Sequence, residues 1–160
     1  MGNNTLHIRM SREKDIPAVL NLLSQVLAVH AEGRPDIFKS NVTKYGEKEL
    51  KEIFSDDKKP VFVAEANGEV IGYAFCQLQR IENSSVLKPV KTLYIDDLCV
   101  DKNHRGKKMG TALFEAVKSF AKELGCHNIT LNVWSFNTSA MKFYESLGMK
   151  PQREYKEYIL

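Results

Sequence analysis

The sequence predicts a mixed α/β fold, a mostly antiparallel sheet with helices on both faces. Three observations predict it. Two runs rich in β-branched and aromatic residues, 61–66 and 70–81, are joined by Asn67-Gly68, a pair suited to the positive φ angles of a type I′ hairpin turn. Two more apolar runs, 91–100 and 129–133, flank a helical stretch, and a helical crossover leaves its two strands parallel. Finally, Ile16, Val19, Leu20, Leu22, Leu23, Val26 and Leu27 lay a broad apolar stripe along one amphipathic helix.

In chain order, Leu6-His7-Ile8-Arg9-Met10 alternates and reads as a first strand. Asp15 is placed to cap the helix that follows, and Pro17 sits in its first turn, where a missing N–H has no partner to lose. Gly33 and Pro35 end that helix, and a second is predicted around 43–55 on Leu50, Ile53 and Phe54. In the returning strand 70–81, alternation assigns Ile71, Tyr73, Phe75 and Gln77 to one face and Val70, Ala74 and Cys76 to the other. A connection at 83–89 leads into the strand at 91–100. A helix from about 106 to 124 closes at Gly125, and a buried strand follows at 129–133. Asn137 or Thr138 opens a last helix through Leu147, Gly148 closes it, and 149–159 is predicted as a final strand. With no linker, repeat or low-complexity segment, residues 1–160 are expected to form one domain.

The chain is organised around 93–114, where an apolar strand bearing Asp96 and Asp97 passes through a polar loop into Arg105-Gly106-Lys107-Lys108-Met109-Gly110-Thr111 and then a helix. The first N–H groups of a helix have no partner inside it, and the helix dipole places positive charge there. With glycines for close approach and three cations beside them, the segment is suited to a phosphate. A solvated basic helix start is the alternative. The segment is not a Walker loop, because Gly106-Lys107 is followed by Lys108 rather than Ser or Thr, and no dinucleotide-type glycine pattern is present.

Arg105, Lys108 and Gly110 occupy the fixed positions of R/Q-x-x-G-x-G/A, and the segment resembles the pyrophosphate loop of the GCN5-related N-acetyltransferases. A second stretch, N-T-S-A-M-K-F-Y-E-S-L-G-M from Asn137, is similar to that family's N-x-x-A-x-x-F-Y-x-x-x-G-F. The order of the elements matches over nearly the whole chain. One departure is Lys108, which stands where the family usually has glycine; the sequence places it in the first turn of the helix, where a side chain is tolerated.

The resemblance implies an acetyl-CoA-dependent N-acetyltransferase that transfers the acetyl group directly to an amine, without a metal. It implies a parallel strand pair splayed at the cofactor, with pantetheine along the main chain of Leu98, Cys99 and Val100. The diphosphate would rest on Arg105, Gly106, Lys107, Lys108, Met109, Gly110 and Thr111, with Asn137 as a further cofactor contact beside its default role as a helix cap. Tyr144 matches the tyrosine that protonates the departing thiolate, with Phe143 as packing. Asp96 stands where relatives acting on polyamines carry a glutamate, and is the candidate base or amine-binding group. Asp97 should face away by alternation, a pattern that the bulge frequent in this strand of the family would change. The loop polars His30, Glu32, Arg34 and Asp36, with Trp134 and Phe136, fall where the family builds its acceptor wall. Homodimerisation is an expectation from the family alone.

The acceptor is expected to be a small-molecule amine, possibly cationic given the acidic pair; a protein N-terminus or lysine, or a non-catalytic acyl-CoA-binding module, are the alternatives. A net charge of +3 is too mild for a nucleic-acid binder. No apolar run is long enough to span a membrane, and residues 1–5 carry no signal-peptide pattern and a poor myristoylation signal. Cys76, Cys99 and Cys126 are odd in number and form no C-x-x-C, which points to a reducing, cytoplasmic setting. All three lie in apolar segments, so core packing is their default reading, with a nucleophilic Cys99 as the alternative.

Overall fold

A computed structural model describes residues 5–106 and 108–160; Met1–Asn4, where a leader was sought, and Lys107, a predicted diphosphate contact, lie outside the described residues. The elements run β1 (Leu6–Met10), α1 (Ile16–Gly33), α2 (Glu47–Phe54), β2 (Val61–Ala66), β3 (Glu69–Ile81), β4 (Val90–Val100), α3 (Met109–Glu123), β5 (Asn128–Leu131) and α4 (Thr138–Ser146). The sheet order is β1-β2-β3-β4-β5; the first four strands are antiparallel, and β5 joins β4 in parallel after the α3 crossover. The predicted hairpin turn is present, with φ of 52° at Asn67 and 79° at Gly68.

Each face of the sheet carries its own core. Ala74, Cys76, Leu93 and Ile95 pack with Met109, Leu113, Phe114 and Val117 of α3. On the other face Val63, Tyr73, Phe75 and Cys99 pack with Ile16, Val19, Leu22 and Leu23 of α1 and Leu50 of α2. Gly72 lets the layers close, since a β-carbon there would stand 2.9 Å from the Cys99 carbonyl oxygen.

Four expectations are corrected. Ile71 joins the α3 core rather than following Tyr73 and Phe75, and Val70 packs on the α1 core rather than with Ala74 and Cys76, because a register shift opposite Ala64 and Glu65 breaks the alternation of β3. Asp15 does not cap α1 with its side chain. Its buried carboxylate instead accepts two bonds from the Arg9 guanidinium, at 2.8 and 2.9 Å, and one from the Arg12 N–H at 2.7 Å, while Arg9 also donates to Glu65. Burial opposes that charge, but the Arg9 and Arg12 bonds hold the Asp15 carboxyl below its usual range. The α3 helix begins at Met109 rather than near 106, because Gly106 and Lys108 adopt φ of 83° and 59°. Lastly, 150–160 forms no strand. It is exposed along its length, and no strand among the described residues pairs with it. The last two elements are thinly covered: β5 is only half-buried, and α4 has no fully buried residue.

Candidate active site

The site lies where β4 and β5 part. Their pairing runs from Thr92↔Asn128 to Ile95↔Leu131 and stops, while β4 continues to Val100. The edge of β4 that faces β5 is therefore open from Asp96 onward, and an open strand edge offers its N–H and C=O groups to an extended ligand. Leu98 and Val100 turn their side chains toward the α3 core and Cys99 toward the α1 core, which leaves the main chain as the part of these residues that faces the opening. The Cys99 thiol is 5% exposed and lies 3.9 Å from the Leu22 carbonyl oxygen, and burial pushes it up to about 12. Such a thiol is a packing group and is not suited to nucleophilic attack.

A β-bulge places both acidic side chains of β4 on one face. Phe75 pairs with Asp97 and Cys76 with Ile95, so Asp96 is the extra residue. Residues opposed across an antiparallel ladder share a face, so Asp97 accompanies Phe75 on the α1 side. Asp96 also faces that side, where its Oδ2 accepts the Tyr45 hydroxyl at 2.8 Å and the Lys44 Nζ at 2.9 Å. The expectation that Asp97 faces away is thus corrected. Asp97 accepts a 2.7 Å bond from the buried Tyr73 hydroxyl, yet burial prevails and pushes its carboxyl up to about 6. That value is suited to a proton acceptor near neutral pH.

Tyr144 enters from α4, half-buried, with its ring 5.2 Å from that of Phe143. Burial first, then the charge of Asp97, raises its hydroxyl above the usual tyrosine range, so it stays protonated through neutral pH. The charge of Asp97 is thus felt at the predicted acid. Asn137 caps α4, its side chain accepting the Ala140 N–H at 3.3 Å. Its predicted role as a cap is thereby seen.

At the end of β4 the chain turns through a short 3-10 segment, Lys102–His104, into the basic loop. Asp101 fixes this turn by accepting from Gln25 Nε2 at 2.9 Å and pairing with His104 Nδ1 at 2.8 Å. Arg105 and Gly106 precede α3, while Met109, Gly110 and Thr111 form its first turn, with N–H groups directed out of the helix end. Gly110 is needed for packing against α4: a β-carbon there would meet the Phe143 ring at 3.0 Å. Lys108 is the N-cap in a left-handed conformation, not a residue of the first turn. Only glycine adopts that conformation without strain, which gives a physical reason for glycine at this point of the loop.

An aromatic cluster joins the end of α1, the loop after it and the segment between β5 and α4. His30 and Phe38 lie 5.0 Å apart, Phe38 and Trp134 5.2 Å, and Trp134 stacks with Phe136 at 6.1 Å between ring centres. Phe136 lies over Gly33, where a β-carbon would overlap its ring. Burial and then the charge of Lys44 lower the His30 imidazole, which ties this cluster to the ion pair on Asp96. Arg34 reaches both Asp36 and Glu157, joining the loop after α1 to the C-terminal segment. Tyr73, Lys44 and Tyr45 were not singled out from sequence. Tyr73 reads there as an ordinary core residue of a strand, and Lys44 and Tyr45 lie far along the chain from Asp96.

The fold, with one parallel pair opening onto a helix N-terminus, is that of an acyltransferase. The chain belongs to the acetyltransferase (GNAT) family, whose model matches residues 27–149. Among curated relatives, it is 27% identical to the uncharacterized N-acetyltransferase YhfO of Bacillus subtilis, over 97% of each chain. It is 29% identical to the uncharacterized N-acetyltransferase MJ1207 of Methanocaldococcus jannaschii over 69% of this chain; the match spans about half of that relative, 47%. Among solved structures, a variant of the BH1408 protein of Bacillus halodurans superposes with a TM-score of 0.93 at 33% identity, covering 96% of this chain and 99% of that one. The aminoglycoside N-acetyltransferase AAC(6')-Iy, solved with CoA, shares the fold with a TM-score of 0.73 at 17% identity, covering 99% and 97%.

Proposed function

We propose that the protein transfers the acetyl group of acetyl-CoA directly to the primary amine of a small cationic molecule. The observation that carries this is the bulge at Asp96, which sets two carboxylates on one face of β4 at the point where β4 and β5 separate. Pantetheine lies along the open edge at Leu98, Cys99 and Val100, and the diphosphate rests on 105–111 at the start of α3. A main-chain N–H of that open edge then faces the thioester oxygen, a donor worth about 3 kcal/mol as the oxyanion forms.

The amine arrives protonated, since an alkyl amine of pKa ~10.4 is neutral in only about one molecule per thousand at pH 7. Asp96 binds the ammonium group. Asp97, held by Tyr73 and pushed up to about 6, receives its proton. As the tetrahedral intermediate collapses, Tyr144 donates its proton to the thiolate of CoA. The His30, Phe38, Trp134 and Phe136 cluster forms the wall against which the body of the acceptor packs, and aromatic faces favour a cation. The aminoglycoside acetyltransferase that shares the fold supports a polycationic acceptor of small size.

One domain suffices for this chemistry, and the cytoplasm, which supplies acetyl-CoA, is its setting. Among the described residues no helix is long and apolar enough to cross a membrane. Exposed Tyr155, Tyr158, Ile159 and Leu160 in the C-terminal segment support homodimerisation, and sedimentation at several concentrations tests it. The function itself is tested by calorimetric titration with CoA, followed by mass spectrometry of polyamines and aminoglycosides incubated with the protein and acetyl-CoA. The reading requires CoA binding and a mono-acetylated amine; a protein that does not bind CoA contradicts it.

A further inference from the structure

Asp96, the residue assigned to the acceptor ammonium, already holds one. Lys44 Nζ lies 2.9 Å from its Oδ2, and the Tyr45 hydroxyl fixes the same oxygen at 2.8 Å. The ion pair is partly shielded: the Asp96 side chain is 14% exposed and that of Lys44 43%. Lys44 comes from the irregular segment between α1 and α2 and lies over the Tyr45 ring, 5.4 Å from its centre. Its charge lowers both the His30 imidazole and the Asp97 carboxyl, secondary to burial in each case. A primary amine is thus presented on the enzyme's own chain at the point where a free acceptor must be presented.

We infer that Lys44 is a substrate of its own active site, acetylated in cis on Nζ when acetyl-CoA is bound. This rests on the acetyltransferase reading above. The ammonium gives one proton to the carboxylate pair, and the neutral Nζ attacks the thioester carbonyl carbon. The C–N bond forms, the C–S bond breaks, and the thiolate takes the Tyr144 proton to leave as CoA thiol, while the second proton of the attacking nitrogen returns Tyr144 to its neutral form. One acetyl-CoA and one lysine ammonium yield one acetyl-lysine, one CoA and one released proton. Tethering supplies the amine at high effective concentration, since no second molecule need bind. The product has consequences for the site. Acetyl-lysine is neutral and longer, so Asp96 loses its internal cation and becomes available to a cationic acceptor.

The test is a time course of the full chain with acetyl-CoA, read by intact mass and by peptide mapping of Lys44 against Lys39, Lys51 and Lys59, which are exposed as Lys44 is but not paired with Asp96. Lys44 should gain one acetyl group before the others, with a first-order rate independent of protein concentration. Asp96→Asn should slow that label roughly a hundredfold and leave the other lysines unchanged. Lys44→Arg should remove it. Labelling of Lys44 no faster than Lys51, no effect of Asp96→Asn, or a rate that rises with protein concentration would each overturn the inference. Free-amine turnover is followed in the same samples. Turnover without Lys44 labelling refutes self-acetylation and leaves the acetyltransferase reading intact; loss of CoA binding, turnover and labelling together refutes both.

Discussion

Replacing Asp97 by Asn should make the protein more stable and much less active, and the two effects should share a pH dependence. Burial raises the Asp97 carboxyl from its ordinary 3.8 to about 6. A carboxyl raised on folding favours the folded state below about pH 4, where it is protonated in both states, and that advantage disappears as pH rises through 6. The gap of about two pH units, at about 1.4 kcal/mol each, means that the ionised side chain costs the folded state up to about 3 kcal/mol above pH 7. Asparagine keeps an acceptor for the Tyr73 hydroxyl at 2.7 Å and removes the buried charge. We expect a gain of about 1–3 kcal/mol at pH 8, and almost none near pH 4. In a chain of this length that is a rise in Tm of roughly 3–10 °C. Circular dichroism melts at several pH values read the stability, and CoA release reads the activity, which should fall about 100-fold or more with the loss of a base. A Tm that drops at pH 8, or a gain that is the same at pH 4 and pH 8, would refute the reasoning about burial. Unchanged turnover would refute the role of Asp97.

The wild-type kcat/KM should rise as pH increases through about 6 and then level, because ionised Asp97 is the active form; a profile flat between pH 5 and 8 would contradict this. Lys108→Gly should stabilise the protein by about 0.5–1 kcal/mol, the relief of a left-handed L-residue less the added freedom of glycine in the unfolded chain, and calorimetry would show it as a higher Tm. Asp15→Ala should lower stability by about 3 kcal/mol in urea unfolding, because it strands part of the Arg9 guanidinium. The wild-type contribution is present above about pH 4 and lost below it, since the Asp15 carboxyl is held low. Trp134→Ala should raise the KM of a cationic acceptor about tenfold while leaving the KM for acetyl-CoA near its original value.

Local signals carried most of the fold. Asn67-Gly68 announced its hairpin, the stripe from Ile16 gave α1, and Gly125 and Gly148 closed helices, with φ of 70° and 90°. The cofactor loop was legible because its function depends on contiguous residues at a helix start. What sequence did not disclose depends on register and on distant contacts. Alternation turned Asp97 away, and only the pairing of Phe75 with Asp97 and Cys76 with Ile95 brings it beside Asp96. The partners of the two carboxylates, Tyr73, Lys44 and Tyr45, belong to other elements and carry no local pattern that marks them. Lys108 was placed in the first turn of the helix; it is instead the N-cap of α3, in a left-handed conformation. The final segment, predicted as a strand, forms none among the described residues.

The most direct test of the account is release of CoA thiol from acetyl-CoA against a panel of polyamines, amino acids, aminoglycosides and short peptides, with Tyr144→Phe measured alongside. The account predicts release with a cationic small-molecule class, and a marked fall in kcat for the variant while CoA affinity is kept. Release with no amine in the panel, or equal turnover by the variant, would contradict it.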